Sequence, residues 1–180
     1  MNVIIVGCGK IGRELVKLLS QERHSIVVID KNQQVLEDTI SDFDVMGVCG
    51  DGLSIDILKE SAIDRCDVFI ATTASDELNI LSCMIAKKLK VRSCITRICN
   101  PSYADQLVFM REELGISMMV NPELQASREI ARILHYPSAI NIESFGRGRI
   151  DMVEFKINSD NILVDVSLKE MASKINVRVL

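Results

Sequence analysis

Short apolar runs alternate with longer amphipathic stretches along the first 120 residues, and this alternation constrains the fold more than any other feature. The runs are rich in Val and Ile and are mostly apolar at every position, which is typical of strands covered on both faces. Such alternation predicts right-handed βαβ units and therefore an α/β, doubly wound parallel sheet. The predicted strands are residues 2–6, 26–29, 45–48, 67–71, 93–97 and 117–120.

Helical patterns fill the intervals between these strands. We predict helices over residues 11–22, 33–41, 54–61, 77–89 and 102–114. Two of them carry apolar residues at the i, i+3, i+4 spacing of a buried stripe. These stripes are Leu15, Leu18 and Leu19 in the first helix, and Leu78, Leu81, Ile85 and Leu89 in the fourth.

The pattern changes after residue 120. Asn121, Pro122 and Glu123 have the chemistry of a helix start, with a capping side chain, a proline at the first position and an acid in the first turn. This helix is predicted to run to about His135, and alternating β-like segments follow from Ile140. Residues 176–180 read as a new strand, so we expect the second unit to be incomplete within these 180 residues.

Composition and charge exclude several classes of function. The formal net charge is -4 with no basic block, which argues against nucleic-acid binding. No run approaches the roughly 20 apolar residues of a membrane span, and the first residues lack a charged leader, so we expect a cytoplasmic protein. The six cysteines form no C-x-x-C pair and only two histidines are present, so no metal site is expected.

A glycine-rich loop joins the first strand to the first helix. Gly7 allows a tight turn, Gly9 lets the backbone approach a pyrophosphate, and Gly12 lets the helix pack closely on the strand. Asp30 follows the second strand, 18 residues after Gly12, where an acid accepts hydrogen bonds from ribose hydroxyls and repels a 2′-phosphate. The loop therefore predicts a Rossmann-like site for an adenine nucleotide, and it does not separate NAD(H) from ATP or ADP.

Other residues near this loop have two interpretations each. Cys8 is either a redox target or, as we favour, a small residue in a tight loop. Lys10 can add positive charge beside the phosphates, whereas Lys31 lies along the adenosine or is simply solvated. Asp51, in the loop after the third strand, either lies near the adenine or starts the next helix.

Polar residues also follow the fourth and fifth strands, at the edge where ligands bind such sheets. Thr72 and Thr73 are placed to meet ribose or phosphate, and Arg97 either binds a phosphate or pairs with an acid. The sequence contains no P-loop lysine, nucleophile elbow or H-E-x-x-H motif. We therefore expect binding without catalysis.

These segments in order resemble the RCK domain family, also called KTN domains, of the TrkA type. The segments are GCGKIG, VVID, GDG, ATTASDELNILSCMIAKKL, TRICNPSYAD and the NPE helix. The resemblance covers residues 1–137, and LHYPSAINIESFGRGRIDMVEFKI is similar to the start of the small C-terminal subdomain of the family. It implies a nucleotide-binding domain at 1–121, a crossover helix at 122–138 and a partial small α+β subdomain at 139–180.

The resemblance implies a regulatory rather than an enzymatic role. Such proteins bind NAD(H), or ATP and ADP, without chemistry, and they gate a membrane potassium-translocating (TrkH-like) subunit on its cytoplasmic side as homo-oligomers, dimers that assemble into rings. It assigns the nucleotide site to Gly7, Cys8, Gly9, Lys10, Ile11, Gly12, Asp30, Lys31, Asp51, Thr72, Thr73, Asn79 and Arg97.

Several alternatives stay open at this point. Glu123 matches an acid that takes part in a cation site with ATP in some relatives, and it is equally explained as a first-turn acid. The apolar residues of the 122–138 helix either bury against a partner chain or pack on their own sheet. An NAD-dependent dehydrogenase and a purely structural dimerisation domain remain the competing functions.

Overall fold

The computed structural model describes residues 1–103, 111–146, 150–167 and 170. The chain divides into two compact units, Met1–Gln125 and Ala126–Leu180. The strands are β1 (Asn2–Val6), β2 (Ser25–Asp30), β3 (Met46–Cys49), β4 (Val68–Ala71), β5 (Ser93–Arg97), β6 (Met118–Val120), β7 (Ala139–Phe145) and β8 (Ile150–Phe155). The helices are α1 (Lys10–Ser20), α2 (Gln33–Phe43), α3 (Ile55–Glu60), α4 (Asp76–Lys88) and α5 (Pro122–His135), with a 3₁₀ turn at Ile63–Arg65.

The first unit is a parallel six-stranded sheet in the order β3-β2-β1-β4-β5-β6. Strand β1 lies at the centre, with Val3 opposite Ile26 of β2 on one side and Val68 of β4 on the other. The chain moves outward in one direction from β1 to β3 and in the other from β4 to β6. This confirms the predicted doubly wound, Rossmann-like sheet, and it puts the β1–α1 loop at the point where the order reverses, where ligands bind such folds.

Both faces of the central strands are buried, as the continuous apolar runs predicted, whereas the edge strands β3 and β6 are partly exposed. Alternate residues of β1 belong to different clusters: Val3 and Ile5 pack with Val16 of α1, whereas Ile4 and Val6 belong to the second cluster. The second cluster also contains Phe69 of β4, which is fully buried. A period of two with apolar residues on both sides is what a central parallel strand requires.

The six predicted strands each begin and end within one residue of the observed ones. The leucine stripes were wrong at two positions, because Leu18 and Leu81 are 51% and 46% exposed. Helix α4 instead turns small and polar residues to the sheet, among them the fully buried Asn79 and Ser82. Small side chains allow the helix to approach the strands closely, which a purely apolar stripe does not predict.

The predicted helix at residues 102–114 is only partly described. Residues 101–103 are helical, residues 104–110 lie outside the described part, and residues 111–115 form a turn, so this helix does not reach residue 114 as predicted. Gly115 ends this turn with φ +69°, a left-handed conformation that stops a helix. The predicted strand at 176–180 lies outside the described residues.

Helix α5 begins as predicted. The Asn121 side chain accepts a hydrogen bond from the Leu124 amide at 2.8 Å, and Pro122 takes the first helical position. The second unit contains the antiparallel hairpin β7–β8, with Phe145 opposite Ile150. The predicted domain limits at 1–121, 122–138 and 139–180 stay predictions.

Candidate functional site: a cavity at the glycine loop

The three glycines of the β1–α1 loop are required for different reasons. Gly7 has φ +97°, and a Cβ there would lie 2.8 Å from the Thr73 backbone nitrogen. A Cβ at Gly12 would overlap the Gly7 carbonyl oxygen. In the part of the chain that the structure describes, nothing lies within 4 Å of a Cβ built at Gly9. Gly7 and Gly12 are therefore explained by the fold, whereas Gly9 faces open space.

The open space lies at the start of α1. Gly9 is the N-cap residue of this helix; no side chain among the described residues caps it, and its first turn holds no acid. Helices α2 and α4 differ, since Asn32 and Ser75 accept hydrogen bonds from their first-turn amides. Uncapped amides at the positive end of a helix are suited to an anion.

A cavity of about 320 Å³ opens in front of this helix start. This volume lies at the lower end of the range of about 300–1,000 Å³ for small-molecule sites. Its walls are mainly glycines and apolar side chains, with one carboxylate and one amine. The lining residues are Val6, Gly7, Gly9, Ile29, Asp30, Lys31, Val35, Gly50, Gly52, Thr72, Thr73, Ala74 and Leu78.

Asp30 connects the end of β2 to the glycine loop. Its Oδ2 accepts a hydrogen bond from the Cys8 amide at 2.7 Å, and its Oδ1 accepts one from the Asn32 amide at 2.8 Å. Each carboxylate oxygen can accept a further hydrogen bond. The carboxylate therefore holds the loop in place and retains acceptor sites for hydroxyl groups of a ligand.

The loop after β3 meets the cavity through its glycines rather than through Asp51. Asp51 pairs with Lys31, whose Nζ lies 3.0 Å from its Oδ2, and its Oδ1 accepts a hydrogen bond from the Leu53 amide at 3.0 Å. The Leu53 bond and then Lys31 lower the pKa of this carboxyl. Gly50 and Gly52 line the cavity and were missed as site residues, although the GDG pattern around Asp51 marks them.

Hydrogen bonds on the side away from the cavity hold the β4–α4 loop in place. Thr72 donates its hydroxyl to the Gly7 carbonyl oxygen at 3.0 Å, which ties the two loops together. The Asn79 side-chain oxygen accepts hydrogen bonds from the Thr73 amide at 2.8 Å and the Thr73 hydroxyl at 2.7 Å. Asn79 is fully buried, so the structure places it behind the loop and not on the cavity wall.

Arg97 also lies behind this loop. Its Nη1 donates to the Thr73 carbonyl oxygen at 3.3 Å, and its Nη2 donates to Glu123 Oε1 at 2.6 Å. Of the two sequence interpretations of Arg97, the structure has the pairing with an acid. The pKa of Glu123 is lowered, first by a backbone hydrogen bond at its own residue and then by the Arg97 hydrogen bond.

Three residues of the predicted loop point away from the cavity or lie beside it. The Cys8 side chain is 3% exposed, and burial together with Asp30 raises the pKa of its thiol to about 12. A protonated, buried thiol is inert, which supports the small-residue interpretation of Cys8. Lys10 is exposed at the start of α1, and Ile11 lines a separate apolar groove of about 260 Å³ with Leu15.

The polar side chains of the described cavity lining are those of Asp30, Lys31, Thr72 and Thr73. Among the described lining residues there is no histidine or cysteine, and Asp30 is engaged with two backbone amides. Within the described ranges no three His, Cys, Asp or Glu side chains gather to hold a metal ion. In the same residues, no helix is long and apolar enough to cross a bilayer.

The fold and the cavity define a Rossmann-like α/β domain with its site at the glycine loop. The TrkA-N domain family matches residues 3–122, and the chain belongs to this family. It is 35% identical over 178 residues to a Trk system potassium uptake protein TrkA homolog 2 of Methanosarcina mazei, which covers 95% of this chain and 39% of that protein. An Archaeoglobus fulgidus TrkA homolog is 32% identical over 157 residues, or 87% of this chain and 36% of the relative. The chain thus spans well under half the length of these relatives.

Solved structures share the fold at low sequence identity. The TrkA-N domain of the Escherichia coli inner membrane protein ybaL has a TM-score of 0.65 at 19% identity, over 74% of this chain and 96% of that one. GsuK bound to ADP has a TM-score of 0.63 at 22% identity, over 76% of this chain and 34% of that one. The GsuK channel bound to NAD has a TM-score of 0.57 at 20% identity, over 81% of this chain and 24% of that one. These findings confirm the resemblance to TrkA-type RCK domains.

Proposed function

We propose that this chain is the nucleotide-binding part of a regulatory protein for potassium uptake, and that it binds NAD(H), or ATP and ADP, without chemical turnover. One observation carries the proposal. Gly9 faces a cavity at the uncapped start of α1, where the protein itself gives no reason for a glycine. A pyrophosphate fits this place, because it needs both the missing side chain and the free amides.

The ribose side of the ligand is assigned to Asp30. Its carboxylate lines the cavity and keeps acceptor capacity beyond its two backbone hydrogen bonds. A negative charge at this position disfavours a 2′-phosphate, so NADP should bind less well than NAD(H). Both NAD and the adenosine phosphates satisfy these requirements, and the similar GsuK structures include one bound to ADP and one bound to NAD.

A dehydrogenase remains the alternative because it shares the fold. The described walls of the cavity hold no histidine, and their one carboxylate already bonds two amides. Hydride transfer to a carbonyl also needs a proton donor at the reacting carbon's oxygen. The titratable side chains of the described lining are Asp30 and Lys31, and both already have protein partners, Asp30 in two backbone amides and Lys31 in Asp51.

The regulatory output is proposed from the family. We infer that the full protein is a cytoplasmic homo-oligomer, dimers assembled into a ring, which controls a membrane potassium-translocating subunit of the TrkH type. In support, the α5 side chains Ile130, Ile133 and Leu134 are 59%, 56% and 72% exposed, as residues that bury against another chain would be. A nucleotide would shift such an assembly only by its differential affinity for two conformations.

Thermal denaturation with NAD, NADH, ATP, ADP and NADP side by side tests the proposal. A ligand at about 100 times its dissociation constant should stabilise the folded chain by about 2.7 kcal/mol. We expect stabilisation by NAD(H) or by adenine nucleotides, and little by NADP. Stabilisation by none of them would contradict the nucleotide site, and steady oxidation of NADH with a simple carbonyl compound would favour a dehydrogenase.

A further inference from the structure

A continuous set of hydrogen bonds runs from the cavity wall to the first turn of α5. Thr73 lines the cavity, and its carbonyl oxygen accepts hydrogen bonds from Asn79 Nδ2 at 3.1 Å and from Arg97 Nη1 at 3.3 Å. The other end of the same guanidinium bonds Glu123, the second residue of α5, at 2.6 Å. A single planar guanidinium group therefore connects the wall of the cavity to the helix.

The backbone around Arg97 reinforces this connection. Arg97 pairs with Val120 in the sheet, and the Ile98 amide donates to the Val120 carbonyl oxygen at 2.9 Å. The Arg97 carbonyl oxygen accepts a hydrogen bond from Asn79 at 3.1 Å. The backbone of Arg97 is thus fixed in the strand, and its guanidinium bonds Thr73 on one side and Glu123 on the other.

Arg97 is mostly buried, and this affects both its ion pair with Glu123 and its Nε donor. Its side chain is only 19% exposed, so the ion pair with Glu123 is weakly screened at the arginine end. Within the described residues, Arg97 Nε is the one buried side-chain nitrogen or oxygen without a hydrogen-bond partner. A buried donor without a partner costs free energy.

We propose that Arg97 is a positioning residue which reports occupancy of the cavity to helix α5, rather than a ligand of the nucleotide phosphates. A ligand that orders Thr73 orders its carbonyl oxygen, the guanidinium and the first turn of α5 together. Helix α5 continues from the first compact unit into the second, so its start is where the nucleotide-binding unit can influence the rest of the chain. This inference rests on the proposed nucleotide site.

Glu123→Gln and Arg97→Gln test the connection from its two ends. Glu123 is 56% exposed, so its substitution should not prevent folding. Glu129→Gln is the matched control, because Glu129 lies on the same helix, is 55% exposed and is paired with Arg132 at 2.9 Å. Hydrogen exchange of the α5 amides, with and without ADP or NADH, is measured beside the dissociation constant from calorimetry.

We expect ADP or NADH to slow exchange in α5 of the unaltered protein and of Glu129→Gln. In Glu123→Gln the dissociation constant should stay within about twofold while the protection of α5 is lost. The double variant Arg97→Gln/Glu123→Gln should behave as Glu123→Gln does. A structural role alone would not separate binding from protection in this way.

Two results would overturn the proposal. Protection of α5 that persists in Glu123→Gln would show that the connection does not carry it. If Arg97→Gln weakened binding about tenfold or more while Glu123→Gln tightened it, Arg97 would be a phosphate ligand competed for by Glu123.

The ligand-free protein separates this inference from the proposed function. Without nucleotide, the exchange of the Leu124 and Gln125 amides should be about threefold faster in Glu123→Gln than in Glu129→Gln. Equal rates would refute the mechanical connection. Absence of any nucleotide binding in the unaltered protein would refute the proposed function, and with it the reporting of occupancy, whatever the ligand-free rates are.

Discussion

The two compact units differ in how much of their apolar side chains is exposed to solvent. In the first, the strands bury Val, Ile and Phe almost completely, and Ile5 and Phe69 are fully inaccessible. In the described part of the second, no side chain is buried, and Phe145, Ile150 and Met152 of the hairpin are 49–64% exposed. A two-stranded hairpin is marginal by itself. The first unit thus completes its own core, whereas the described side chains of the second unit form no buried core of their own.

This contrast separates where a substitution should affect the fold from where it should affect assembly or ligand binding. Changes in the core of the first unit should mainly lower stability, and changes at Gly9 and Asp30 in its cavity should mainly lower nucleotide affinity. Changes on exposed apolar positions of the second unit should leave stability nearly unchanged.

The largest effect is expected at Gly12. Gly12→Val would push a side chain into the Gly7 carbonyl group and the Thr72 hydroxyl, both of which belong to the packed loop. Overpacking against backbone should destabilise the fold by about 3 kcal/mol or more, measured by urea denaturation. Near-native stability would show that α1 can move away from β1. The first unit would then not be as tightly packed as the comparison of the two units assumes.

The cysteine thiols should make the first unit sensitive to alkaline pH, because all six cysteines precede residue 100. Burial raises the pKa of the Cys8 thiol to about 12, and those of Cys66 and Cys94 to about 11, from an ordinary value of 9.0. The unfolded chain therefore loses these protons first. Stability should fall as pH rises above 9, by about 1.4 kcal/mol per thiol and pH unit, until each folded pKa is reached.

Cys94→Ala should make this decline shallower between pH 9 and 11, whereas Cys49→Ser, at an exposed position, should leave it unchanged. Urea denaturation at several pH values measures both variants. An equal decline in the unaltered protein and in Cys94→Ala would contradict the assignment of the loss to buried thiols.

Ligand affinity should respond to Asp30 more than to other acids nearby. Asp30→Asn removes the charge that accepts ribose hydroxyls, and the expected loss is about 1.5–3 kcal/mol, or roughly 10- to 150-fold in affinity. Asp38→Asn is the control, since Asp38 lies on the exposed side of α2 and bonds Gln34. Equal affinities of the two variants by calorimetry would show that Asp30 only holds the glycine loop.

The smallest effect on stability is expected in the second unit. Leu134 is 72% exposed, so Leu134→Ser should change the unfolding free energy by less than about 0.5 kcal/mol. If α5 buries against another chain, the same change should weaken self-association, measured by light scattering across protein concentrations. Arg128→Ser, an exposed polar position on the same helix, should leave association unchanged. A large loss of stability on substitution of Leu134 would mean that its side chain is already packed against other residues in the single chain.

The sequence predicted the sheet well because the strands lie in continuous apolar runs, and such runs have few other uses in a chain of this length. It predicted the glycine loop and Asp30 together because their spacing follows from local geometry. It misplaced Leu18 and Leu81, since periodicity alone does not tell which part of a stripe meets the sheet. Tertiary contacts decided these positions.

Local sequence patterns did not predict the contacts of the residues that lie behind the β4–α4 loop. Asn79 and Arg97 both lie near the predicted edge of the sheet. Their side chains nevertheless form hydrogen bonds with Thr73 and do not line the cavity. Nothing in the segments around them shows that Arg97 would meet Glu123, which is 26 residues away in the chain. Their contacts with a ligand, like those of the other assigned site residues, stay predictions.

The central claim is that the space in front of Gly9 is filled by the phosphates of a nucleotide, and calorimetric titration of ADP and NADH into the unaltered protein and into Gly9→Val tests it most directly. A Cβ at this position meets no described atom within 4 Å, so folding should survive with a cost of about 1 kcal/mol from a poorer N-cap. We predict clear binding to the unaltered protein and no measurable binding to the variant, whose melting temperature stays within a few degrees. Binding of equal strength to both proteins would contradict the account.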